Sequence, residues 1–127
     1  MIGSGLFKCL LFIINVVSIS SLQYPQGKFC GKIFNNEFDI YFNNTNSLAD
    51  ISAIIFNTSY KCDNEDYNYN NITDLITMPS DPNDCLNVVL EKYNLCPCPP
   101  ELKYNKEENI VYIMNTEIGN IELNSCV

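Results

Sequence analysis

Short apolar runs alternate with polar, asparagine-rich turns from residue 27 to the C-terminus, and the helical spacing of three and four is almost absent. Gly27-Lys28-Phe29-Cys30-Gly31-Lys32-Ile33-Phe34 runs into Asn35-Asn36, after which Phe38, Ile40 and Phe42 alternate with Asp39 and Tyr41. A period of two buries one face of a strand, so this pair predicts a hairpin turning at Asn35-Asn36. Residues 52–56 predict a third strand, although Leu48-Ala49-Asp50-Ile51 just before it reads equally as the opening of a short helix. Tyr67 and Tyr69 alternate with Asn68 and Asn70 and predict an edge strand. Leu86-Asn87-Val88-Val89-Leu90-Glu91-Lys92-Tyr93, with β-branched residues at its centre, predicts a strand after the breaks at Pro79 and Pro82. Residues 110–114 and 118–123 predict two more, whereas Cys96-Pro97-Cys98-Pro99-Pro100 lacks the donors a ladder needs. About seven strands at short intervals predict an all-β fold, an antiparallel β-sandwich, in one domain covering residues 21–127.

The start of the chain changes the compartment rather than the fold. Lys8 precedes Cys9-Leu10-Leu11-Phe12-Ile13-Ile14-Asn15-Val16-Val17, and Ser18 and Ser20 then supply small side chains for cleavage. This is the pattern of a secretory signal over residues 1–20, and its apolar run is well short of the ~20 residues of a membrane span. No later segment is apolar enough to stop transfer, so a secreted, extracellular protein without a transmembrane segment is expected. The six remaining cysteines, Cys30, Cys62, Cys85, Cys96, Cys98 and Cys126, then read as a disulfide framework. Cys30 and Cys126 lie at the two ends of the domain and are expected to pair. Cys96 and Cys98 are expected to bond to different partners. The sequons Asn43-Asn44-Thr45, Asn57-Thr58-Ser59 and Asn71-Ile72-Thr73 make Asn43, Asn57 and Asn71 candidate glycan acceptors.

Charge and composition narrow the function. The net charge is −8, with no histidine, and every basic residue is a lysine. A nucleic-acid partner needs a basic face and is not expected, nor is an anionic membrane surface. Without histidine there is no Ser-His-Asp or Cys-His nucleophile. Cys96-Pro97-Cys98 lacks the companion ligands of a zinc site, so structural pairing is the better reading. Asp63-Asn64-Glu65-Asp66 has no glycine where a calcium loop needs one and reads as a solvated acidic turn. No metal, no cofactor and no catalysis are expected. Of the aromatics, Tyr41, Tyr67, Tyr69 and Tyr112 line a binding surface only if they share an exposed face; cross-strand packing is their expected role.

Asp81-Pro82-Asn83-Asp84-Cys85-Leu86-Asn87-Val88-Val89 through Cys96-Pro97-Cys98, and the ending Glu117-Ile118-Gly119-Asn120-Ile121-Glu122-Leu123, resemble motifs of the nematode transthyretin-like family. Gly27-Lys28-Phe29-Cys30-Gly31 is similar to that family's first strand. The chain departs from the pattern in lacking a histidine before Cys96 and in carrying Cys62 and Cys85. The resemblance implies a secreted transthyretin-like sandwich that binds an extracellular ligand or a cell surface. It does not imply the hydroxyisourate hydrolysis of transthyretin's enzymatic relatives, whose histidine, arginine and C-terminal tail are missing. The expected function is therefore binding of a small apolar or lipid ligand, or of a cell-surface partner. The alternative is a protease inhibitor or host-directed effector presenting residues 96–100 as a rigid surface loop.

Overall fold

Alternation of buried and exposed positions organises residues 23–117 and 119–127, the part of the chain that the structure, a computed structural model, describes. The expected signal, residues 1–20, lies outside the described residues. The strands are β1 (Gly27–Ile33), β2 (Asn36–Asn43), β3 (Leu48–Ile55), β4 (Thr58–Asp66), β5 (Asn68–Asn70), β6 (Leu75–Thr77), β7 (Glu101–Asn105), β8 (Ile110–Thr116) and β9 (Gly119–Cys126). One helix, α1 (Cys85–Lys92), lies between β6 and β7. The fold is all-β and sandwich-like, with nine strands where about seven were expected. β4, β6 and β7 are the additions, and β5 is the expected edge strand.

All nine strands form one antiparallel sheet in the order β4-β3-β2-β1-β9-β8-β7-β6-β5. Only Tyr67 separates the two edge strands β4 and β5 along the chain. The same segment therefore supplies both edges, the sheet is nearly closed, and its halves face each other across one core. Pairing of β1 with β9 joins the two ends of the domain. At that junction Gly31 is required: a Cβ there would lie 2.4 Å from the Glu122 carbonyl oxygen and 2.6 Å from a Leu123 methyl.

The core is an arc of aromatic rings closed off by α1. Tyr67 packs edge-on against Phe42 (5.1 Å between centroids), Phe42 against Phe29 (5.8 Å), Phe29 against Tyr104 (6.2 Å) and Tyr104 against Tyr69 (5.8 Å). The arc thus crosses from one half of the sheet to the other in the geometry that ring quadrupoles favour. Under α1, Leu86 and Leu90 meet Phe38, Ile51, Ala53 and Ile55 around an apolar space of only about 30 Å³.

Residues 86–93 are thus largely helical, not the expected strand. Two caps decide it. The Asp84 carboxylate accepts the Leu86 N–H at 3.2 Å, with Asp84 in an extended conformation before the helix. At the other end Asn94 takes a left-handed φ of 55°, the Leu95 N–H reaches the Leu90 carbonyl at 2.9 Å, and the Asn94 N–H reaches that of Glu91 at 3.1 Å. That is a Schellman closure. Leu86, Val89, Leu90 and Tyr93 fall at helical spacing on the covered side, and Val88 is left half in water.

Among the described residues three disulfides are formed. Cys30–Cys126 ties β1 to β9, as expected, and Cys62–Cys85 ties β4 to the start of α1. Cys96 and Cys98 bond to each other, contrary to the expectation of separate partners. The turn at Pro97 brings their Cα atoms to 4.7 Å, within bridging range, while the other four cysteines are already paired.

Candidate functional site

Direction reverses at both ends of the sheet, and the chain solves the problem differently at each. Around residues 44–47, 71–74 and 105–109 asparagine side chains close the turns on backbone N–H groups. Asn43 Oδ1 accepts from Thr45, Asn46 Oδ1 from Leu48, Asn70 Oδ1 from Ile72, and Asn105 Oδ1 from both Glu107 and Glu108, all at 2.9–3.1 Å.

The opposite end carries the hairpin tips β1–β2 and β3–β4. Each is a two-residue loop with both central residues at positive φ: Phe34 (49°) and Asn35 (69°), then Phe56 (49°) and Asn57 (67°). These are type I′ turns, whose first position ordinarily takes Asn, Asp or Gly. A phenylalanine there is a steric outlier costing about 1 kcal/mol or more. Neither ring is recovered by burial, since Phe34 is 79% exposed and Phe56 74% exposed. The Asn36 side chain accepts the Phe56 N–H at 3.1 Å and ties the two tips together.

The end of α1 brings more rings to the same place. Tyr93, at the helix C-cap, lies 5.8 Å from the Phe56 ring and 5.6 Å from that of Tyr60 on β4, and the two tyrosine hydroxyls are hydrogen-bonded. Lys92 Nζ sits 5.6 Å from both tyrosine centroids and donates to the Tyr60 hydroxyl at 3.3 Å. That bond raises the lysine above its ordinary value, while the bond with Tyr93 lowers Tyr60. Between the tips and the helix end is a cleft of about 220 Å³ lined by Phe34, Phe56, Tyr93 and Leu95, with Glu117 among its polar lining residues.

Of the four tyrosines expected to pack, Tyr67 and Tyr69 do so. Tyr67 is buried with its hydroxyl donating to Asn44 Oδ1, and half-buried Tyr69 donates to Asp74 Oδ1 at 2.9 Å. Tyr41, 46% exposed on β2, and half-buried Tyr112 on β8 lie on separate strands. Sequence reasoning missed Phe34, Phe56, Tyr60 and Tyr93. The signal was present in the near-duplicate tips Ile33-Phe34-Asn35-Asn36 and Ile55-Phe56-Asn57-Thr58. Placing the first turn at Asn35-Asn36, and ending a strand at Phe56, put both rings in strands.

The acidic segment 63–66 also departs from expectation. It is strand, not a solvated turn. A register shift in β3–β4 pairing and a left-handed Asn64, whose N–H bonds Asp50 Oδ1 at 2.9 Å, turn Glu65 inward beside Asp84. Burial, then the neighbouring Asp84 carboxylate, push Glu65 up to about 7. The Cys62 and Cys85 sulfurs lie within 4.8 Å of it, but their mutual bond removes them as metal ligands.

Of the sequon asparagines, Asn57 and Asn71 are exposed and Asn43 is half-buried. The 96–98 loop is half-buried and Pro100 buried, so this segment does not project. A larger open cleft of about 660 Å³ runs past Lys103, Tyr112 and Met114, where the adjoining Lys106 and Asp74 are already paired at 3.2 Å. Among the described residues, no helix is long and apolar enough to cross a membrane. No protein-family model, curated protein or solved structure matches the chain.

Proposed function

We propose that this is a secreted, non-enzymatic binding protein that holds a small, partly apolar ligand at the aromatic end of its sheet. The observation that carries the reading is the pair of phenylalanines at left-handed tip positions, where each ring stays about three-quarters exposed and packing returns little for the strain. The space beneath α1 does not serve as the seat, because it is about 30 Å³, room for a water and no more. The likeness to the nematode transthyretin-like family suggests the same class of function and rests on sequence alone. The inhibitor or effector reading loses its motivation, since the loop meant to present the contact is half-buried. A glycan on Asn57 would stand beside Phe56 and weaken binding, which enzymatic deglycosylation would reverse.

The test is an NMR titration of the disulfide-intact protein with the neutral probe 3,3-dimethylbutan-1-ol. The expected shifts cluster at residues 33–36, 55–58 and 92–95. Shifts confined to the cleft at Lys103 and Tyr112, or none anywhere, would overturn the reading.

A further inference from the structure

Resting on that reading, we infer that the ligand group seated in the Phe34–Phe56–Tyr93 cleft is an alkylated ammonium, such as the trimethylammonium of a choline group. Three observations converge. First, aromatic side chains supply much of the lining, and an alkylated ammonium is attracted to their faces while giving up less hydration than a bare ammonium. Second, Glu117 is the one ionisable carboxylate among the lining residues, none of which is basic, so the cleft's formal charge is complementary to a cation. Third, Tyr93 of the lining already takes part in a cation contact beside the cleft, the Lys92 ammonium lying 5.6 Å from the centroids of both Tyr93 and Tyr60. The cleft's 220 Å³ corresponds to about seven water volumes and accommodates a choline-sized group.

The site is also held in advance. The Asn36 bond to the Phe56 backbone fixes the spacing of the two tips, and the Schellman closure at Asn94 and Leu95 fixes Tyr93 at the helix end. A ligand entering it orders little that is not already ordered. Lys92 is the opposing term, a like charge beside the seat.

Choline and its neutral isostere 3,3-dimethylbutan-1-ol are to be titrated in parallel by NMR, with phosphatidylcholine vesicles as a third arm read by co-sedimentation. Choline is expected to bind at least about fivefold more tightly than the isostere, with shifts at residues 33–36, 55–58 and 92–95. Glu117→Gln is expected to narrow that preference, and Lys92→Gln to widen it about twofold. Equal binding of choline and isostere overturns the ammonium inference and leaves the apolar-site reading standing. Failure of both to bind overturns both. Choline binding with vesicle co-sedimentation assigns the group to a lipid headgroup, and choline binding without it to a soluble amine; either supports the inference.

Discussion

Two groups of aromatic rings divide the molecule. Tyr67, Phe42, Phe29, Tyr104 and Tyr69 pack edge to face across the inside of the sheet, while Phe34, Phe56, Tyr60 and Tyr93 gather at the hairpin tips. The first group is what a nearly closed sheet of this size needs to fill its interior. In the second, Tyr60 and Tyr93 still lean on the core, but the exposed Phe34 and Phe56 are something the fold does not ask for, because the asparagine-closed turns at the other end reverse the chain without a ring. Rings that hold the fold together and rings that the fold displays should therefore respond in opposite ways to substitution.

The sharpest break in the comparison comes from the inner group. Phe42→Ala or Phe29→Ala should cost about 3–5 kcal/mol in a denaturant titration, since both rings are wholly buried. A loss below about 1 kcal/mol would mean that the arc does not organise the core. Next in size is the tether of α1. Replacing Cys62 and Cys85 together by alanine should cost about 3 kcal/mol by the loop-closure argument. It should also broaden the Tyr60 and Tyr93 resonances, because α1 delivers Tyr93 to the tips, while leaving the turns at 44–47 and 105–109 unchanged.

Glu65 gives a pH test of the same anchorage. Its folded-state value is raised, so the native state binds the extra proton between the ordinary carboxylate value of 4.5 and about 7. Stability is then fullest below pH 4.5 for this group and falls as pH rises toward 7, by on the order of 2–3 kcal/mol. Glu65→Gln should flatten that slope, as read from denaturant midpoints across pH 4–8. An unchanged slope would assign the dependence elsewhere. Smallest are the tips themselves. Phe34→Gly with Phe56→Gly should hold stability within about 1 kcal/mol or raise it, as relief of left-handed strain offsets the lost Phe56–Tyr93 contact and the greater freedom of glycine in the unfolded chain.

Much of this fold was legible because period-two alternation survives in Phe38-Asp39-Ile40-Tyr41-Phe42 and in the closing strands. The helix was hidden because Val88 and Val89 carry strand propensity, and only the caps Asp84 and Asn94 tip the balance. β4 was hidden because its outward residues are charged and a register shift breaks its alternation, sending Glu65 in with Cys62. The pairing of Cys96 with Cys98 depends on a local turn that spacing alone does not reveal. The candidate site was the least legible part. It assembles rings from two tips, one strand and a helix end that no linear pattern connects, and its clearest mark, positive φ at phenylalanine, is a property of the backbone.

One paired measurement separates displayed rings from structural ones most directly: stability and ligand affinity of the Phe34→Gly, Phe56→Gly protein. Stability within about 1 kcal/mol of the parent's, or above it, is expected, together with at least about a tenfold loss of binding at the tips. A fall of about 2 kcal/mol or more in stability with binding unchanged would make these rings part of the scaffold and contradict that expectation.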